Sequence, residues 1–264
     1  MNRDNPHERL ELLDWQSMIA LFEGWAERYC AHPSYFRIGG RPVCSFLNLG
    51  DFVNTYGLDG FQLIIQTARQ IMQKRLGQDP FVIGVFGEAT LKHCALANLT
   101  SIDGATGYGL LPEWTGPPVQ HYAELIPRRA AEWAMVQRNL RVPFFPVVCA
   151  GWDATVRGEW AADLRNCRGF PWRPVVDGVN AELFGHFVDA AVAFNLAHHP
   201  ELNVVYVHAW NEWTESSAIE PSDRFGDQFL RQLKQRARPM PLGPRPGPAP
   251  DLTLNGANHR DIST

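Results

Sequence analysis

The chain has 264 residues, 45% of them hydrophobic and nine of them tryptophan, enough to bury a sizeable core as one domain followed by a tail. Its formal net charge of -4 comes from a mixed surface without a basic stripe, which argues against nucleic acid and an anionic membrane face and favours a neutral ligand. No run of about 18 apolar residues exists to span a bilayer, and the start, MNRDNPHERLELL, lacks the apolar segment of a signal peptide, so a soluble, cytoplasmic protein is expected.

Taken in order, the chain first offers Leu12, Trp15, Ile19, Phe22, Trp25, Ala26 and Tyr29 at near-helical spacing, which predicts a packed helix over residues 9–30. A Gly39-Gly40 turn leads into an apolar run, Pro42 to Leu49, read as a buried strand. Strands and helices then alternate. Leu58 to Leu76 is a predicted helix ended by Gly77, Phe81 to Gly87 a strand, Thr90 to Asn98 a short helix and Ser101 to Ala105 a short strand. Pro117-Pro118 opens a long helix running to Leu140, Phe144 to Gly151 is a strand, Asn180 to His198 a helix, Val204 to Trp210 a strand and Asp223 to Arg236 a closing helix. His198 and His199 fall at a helix C-terminus, where their charge suits the dipole.

This alternation implies a parallel sheet with right-handed crossovers, of α/β class. Five strands are counted, and their units occupy about 195 residues, whereas a complete (β/α)8 barrel of TIM type uses eight in about 250. Residues 1–238 therefore read as an incomplete barrel of five units. The first and last strands would be open apolar edges, prone to self-association or needing the missing strands from another chain. The tail, residues 239–264, has six prolines between Pro239 and Pro250 and is expected to be disordered.

Five cysteines, Cys30, Cys44, Cys94, Cys149 and Cys167, are scattered without a Cys-x-x-Cys pair and read as reduced structural thiols. With no HExxH cluster among nine histidines, neither a metal nor a cofactor is expected.

The densest chemistry lies in VVYVHAWNEWTESSAIEP, Val204 to Pro221. A buried strand gives way to His208, Trp210, Asn211, Glu212, Trp213, Glu215 and Glu220, at the strand end where α/β folds build their sites. Cleaving an acetal takes one group to protonate the leaving oxygen and another to act as base or nucleophile, while indoles stack on sugar rings. Spacing alone leaves open whether these are such a pair or two solvated loop acids beside core tryptophans. After the fourth strand, GWDATVRG offers Trp152 for stacking, Asp153 to accept sugar hydroxyls and Arg157 to donate bidentately to a carboxylate such as Glu212, or else an Asp153 to Arg157 ion pair that holds the loop. Asn48, Asp51, Glu88, Asp103 and Tyr108 follow the other strands, and SIDGATGYGLLPEW is either a sugar-contacting surface or a turn its glycines permit.

AWNEWTESSAIEPSDRFG resembles the C-terminal signature of the glycoside hydrolase family 99-like proteins, also called WbsX, in which a strand runs into Asn-Glu-Trp, a second Glu three residues on and then Glu-Pro. YFRIGGRPVCSFLNLGD, the Asp-Gly and Tyr108 segment and the Trp-Asp-x-x-x-Arg of GWDATVRG resemble that family too, over roughly residues 20–238. The resemblance implies the five C-terminal units of a barrel, short of about three N-terminal ones, and a retaining glycosidase acting on α-linked, mannose-like glycans. It also implies that Glu212 deprotonates the sugar's own 2-hydroxyl while Glu215 serves as general acid and then base, with Glu220 as the Glu-Pro acid. A surface-polysaccharide glycosyltransferase and an inactive, truncated remnant are the rival readings. One departure stands at Ser216, where the family usually has Gly, a residue that admits positive φ.

Overall fold

A computed structural model describes residues 14–87, 90–109, 111–157 and 172–237. Glu88, Cys167 and the tail from 238 onward lie outside the described residues.

Alternating apolar side chains decide the sheet. On β2 (Arg41–Phe46), Cys44 and Phe46 point to the helices while Val43 points the other way; on β3 (Phe81–Phe86), Val82 and Phe86 oppose Phe81 and Ile83. The same split recurs in β6 (Phe144–Phe145), where Phe144 joins the helical core and Phe145 the concave face. With both faces apolar, these strands are buried on two sides, as parallel strands are.

Pairing is parallel from β2 to β3, from β3 to β4 (Gly104–Gly107) and from β4 to β6. After Pro146, which has no N–H to donate, the chain continues as β7 (Val147–Val148), and β7 pairs in parallel with β9 (Tyr206–Val207). The five parallel positions thus follow chain order without reversal, the order of a barrel wall and not of a doubly wound sheet. The wall curls: the Tyr206 hydroxyl on the last strand interacts with Ser45 on the first. A separate concave cluster of Ile38, Val43, Phe81, Ile83, Phe145 and Val204 fills the arc between them. A short hairpin, β1 (Arg37–Ile38) with β2, turns through Gly39 and Gly40, both at positive φ.

Helices cover the convex face. They are α1 (Trp15–Trp25), α2 (Leu49–Leu76), α3 (Leu91–Ala97), α4 (Tyr122–Asn139), α5 (Ala181–His198) and α6 (Gln228–Arg236). Asp14, Thr90 and Asn180 cap α1, α3 and α5 by accepting from Ser17, His93 and Leu183 N–H, and Gly77 closes α2 in the left-handed region. α1 runs on through a π-helical turn, Ala26–Cys30. The predicted start of α2 at Leu58 is its kink: Gly57, at φ 73, joins an additional helical stretch from Leu49.

Three sequence expectations shift. Pro117-Pro118 precede a strand, β5 (Val119–His121), which pairs in parallel with β8 (Val175–Asp177), and α4 starts only at Tyr122. The predicted strand at Ser101–Ala105 lies about three residues later, at Gly104–Gly107, so Asp103 stands at its N-terminal end. There Asp103 meets Arg41 (3.0 Å) and Arg69 (2.7 Å), both of which also hold Asp79, a network at the face opposite the site. His199 is only 4% exposed, and burial lowers its pKa below 6.5, so it is a neutral core residue and not a charge on the helix dipole. Among the described residues, no helix is long and apolar enough to cross a membrane. The four described cysteines are free and buried.

Candidate active site

All strands of the wall end on one face, and the polar residues that follow them converge there. His208 continues the inward alternation of Val204 and Tyr206. Beyond it the chain closes a tight loop, because Ile219 and Glu220 N–H return to Trp210 O and Ser217 N–H returns to Glu212 O. Inside the loop a 3-10 turn, Trp213–Glu215, places Glu212 just before it and Glu215 at its end.

Arg157 ends a second 3-10 turn, Thr155–Arg157, after β7. Its guanidinium bridges the two acids, with Nη1 at 2.6 Å from Glu215 Oε1 and Nη2 at 2.8 Å from Glu212 Oε2, while Nε donates to Thr214 Oγ1 at 2.8 Å. The acids differ in exposure: the Glu212 side chain is 40% exposed and that of Glu215 only 9%. One carboxylate faces solvent and one is largely withdrawn from it, the asymmetry that acid and base roles require. Their charge is felt by their neighbours. Burial first, then Glu215 and Glu212, raise the pKa of Tyr108, and burial with a contribution from Glu215 pushes Cys149 up to about 12.

Ser216, at φ 53 and ψ 28, takes the left-handed conformation that a glycine would adopt freely. Its carbonyl lies 2.8 Å from where a Cβ on Gly151 would stand, so the two site loops touch through backbone. Asp153 N–H donating to Glu215 O at 2.8 Å reinforces that seam.

The other predicted ligands separate into groups. Tyr108, Trp210 and Trp213 expose 41%, 54% and 49% of their surface, and the Tyr108 ring meets His208 edge-on at 5.1 Å. Trp213 Nε1 donates to Glu220 Oε2 at 2.8 Å, so Glu220 orients an indole. Asn211 is exposed, and its carbonyl accepts from Trp213 N–H. Two expectations need correction. Trp152 is 1% exposed and packs edge-on against Trp114 at 5.5 Å, so it walls the site from behind and offers no stacking face. Asp153 does not pair with Arg157; its Oδ1 accepts from Thr155 N–H (3.0 Å) and Oγ1 (2.6 Å) and caps the turn that aims Arg157. Asn48 and Asp51 likewise hydrogen-bond each other. Thr214 and His208 are site residues that carry no expected role from sequence; the alternation Val204, Tyr206, His208 is the signal that marks His208 as inward. A cavity of about 250 Å³ lies behind Tyr108, against Trp133 and Arg129 of α4, apart from the acids.

Residues 22–233 match the family described as Glycosyltransferase WbsX. No curated protein matches the sequence. Among solved structures, a protein described as glycoside hydrolase-like is similar at 16% identity and a TM-score of 0.57, over 84% of this chain and 59% of its own. The glycoside hydrolase family 99 endo-α-mannosidase of Bacteroides thetaiotaomicron, in complex with bis-tris-propane, is similar at 16% identity and a TM-score of 0.51, over 84% of this chain and 63% of its own. Another structure of that enzyme gives 15%, 0.51, 84% and 60%. The chain thus spans about three-fifths of the length of these structures.

Proposed function

The chain belongs to the Glycosyltransferase WbsX family, and on that premise we propose that it carries the catalytic end of a retaining glycoside hydrolase acting on α-linked, mannose-like glycans. The observation that carries this reading is the Arg157 bridge, which gathers Glu212 and Glu215 on the face where the parallel strands end, with Tyr108, Trp210 and Trp213 exposed around them. Carboxylates so arranged suit acetal chemistry, and exposed aromatic rings suit sugar faces.

In this mechanism Glu212, the more exposed acid, takes the proton of the sugar's 2-hydroxyl, whose oxygen displaces the leaving group. Glu215, the more buried, gives its proton to the leaving oxygen and then takes one from the incoming water. Arg157 positions both groups, and Glu220 holds the Trp213 indole as a stacking surface.

Five parallel strands in chain order, with the first and last facing each other across the concavity, support reading the wall as an arc of an eight-stranded barrel that three further β/α units would close. The free edge of β9, and at the other end of the wall the edge where only the two-residue β1 covers β2, are the positions such units, or self-association, would cover.

Hydrolysis of α-linked manno-oligosaccharides by the wild type and by Glu212→Gln and Glu215→Gln tests the assignment. Each variant is expected to lose at least about 1000-fold in turnover with an unchanged circular dichroism spectrum, and full activity in either would remove that residue from the mechanism. Transfer of sugar from a nucleotide-sugar donor, without hydrolysis, would instead support the activity that the family's description names.

A further inference from the structure

The mechanism so far leaves one buried titratable group at the site without a role. The His208 side chain is 1% exposed, and both of its ring nitrogens face defined atoms. Nδ1 lies 2.7 Å from Tyr108 O and Nε2 lies 3.4 Å from Glu215 Oε2, the latter at the long end of hydrogen-bond range. A carbonyl oxygen only accepts, so Nδ1 carries a hydrogen and donates to Tyr108. That fixes what Nε2 offers. In neutral imidazole it is a lone pair, which binds Glu215 in its acid form; in imidazolium it is an N–H, which binds Glu215 as carboxylate. Either way the contact closes only when the pair holds one proton between Nε2 and Oε2.

The remaining charged and titratable neighbours do not compete for this oxygen. Arg157, from the turn after β7, takes Oε1 of Glu215 and Oε2 of Glu212; Tyr108 meets the imidazole edge-on at 5.1 Å; Cys149 donates to Gly151 O. Trp152, tilted at 6.3 Å from the imidazole, adds an apolar wall.

We propose that His208 is the proton-positioning partner of Glu215, set in one tautomer by the Tyr108 carbonyl so that the pair carries the single proton that glycosidic cleavage consumes. This rests on the glycosidase reading for its use, not for its existence. When Glu215 protonates the leaving oxygen, the pair passes from one proton to none, leaving carboxylate and neutral imidazole. When water adds, its proton returns to the pair, and the cycle balances.

Nuclear magnetic resonance of the full chain, with labelled histidine nitrogens and glutamate carboxyl carbons, tests the pair without requiring turnover. The expected result is an Nδ1–H tautomer for His208 and a His208 Nε2 resonance that shifts in Glu215→Gln, where the oxygen it faces is replaced. An Nε2–H tautomer, or a His208 Nε2 resonance unchanged by Glu215→Gln, overturns the proposal even if the protein proves to be a glycosidase. Where hydrolysis is measurable, His208→Gln is expected to lower kcat about 100-fold with KM within about threefold, and to move the limb of the pH profile that reports Glu215. A purely structural role would leave that limb in place and so contradicts the proposal; absence of hydrolysis in the wild type would sink the glycosidase reading and leave the resonance result standing.

Discussion

Ser216 carries the sharpest local tension in the site. A serine at φ 53 pays for a backbone region that glycine occupies freely, yet the loop needs that turn to bring Ser217 N–H back to Glu212 O and to lay its own carbonyl against Gly151. Ser216→Gly is therefore expected to hold stability within about 1 kcal/mol, the relief of strain being offset by glycine's greater unfolded-state entropy. Ser216→Val, β-branched, should cost roughly 1–3 kcal/mol. Thermal unfolding of the three proteins checks the order, and equal midpoints would mean the turn is not under strain. The sequence carried this much because the signature is local: Glu212, Glu215 and the Ser216 position fall within five residues, and their relation survives any placement of the rest of the chain. The surroundings of Trp152 and Asp153 were not legible for the opposite reason. Whether an indole stacks on a sugar or packs edge-on against Trp114 depends on where a segment nearly forty residues upstream lies, and whether Asp153 meets Arg157 or caps Thr155 depends on a single turn of backbone.

At the scale of elements, the helix ends decide more than the helix interiors. His199, the C-cap of α5, lies edge-on to Phe145 and Phe194, and burial is the first cause of its lowered pKa. The unfolded chain therefore binds a proton more readily than the folded one. Its contribution to stability is fully present above the ordinary value of 6.5 and is lost as the pH falls below 6.5 toward the lowered folded value. Chemical denaturation between pH 5 and pH 8 should show stability falling on the acid side, and His199→Phe should flatten that slope; an unchanged slope would place its origin elsewhere. Most elements were legible because apolar periodicity and caps agree, as in α3 between Thr90 and Asn98 and in α5 after Asn180. β5 and β8 were not, since three residues after Pro117-Pro118 and three after Arg173-Pro174 carry no pattern of their own and become strands only by pairing with each other. The third strand slid for a comparable reason: Gly104 fits beneath Phe145, where a Cβ would stand 2.7 Å from the ring, and Asp103 is drawn to Arg41 and Arg69 instead of the site.

For the whole molecule, the decisive feature is a wall whose parallel strands keep chain order and whose ends approach across a concave, apolar interior. Alternation of strand and helix in the sequence implied a parallel sheet, but doubly wound sheets alternate in the same way, so neither the strand order nor the curvature could be read from it. The wall has five parallel positions, and the chain spans about three-fifths of the length of the solved structures it resembles. Within that wall, the account's central claim is that Glu212 and Glu215 form a retaining glycosidase pair. Proton magnetic resonance of an α-linked manno-oligosaccharide during hydrolysis tests it most directly. The account predicts that the new reducing end appears first as the α anomer and that neither Glu212→Gln nor Glu215→Gln releases it; first appearance of the β anomer, or release by either variant at the wild-type rate, would contradict it.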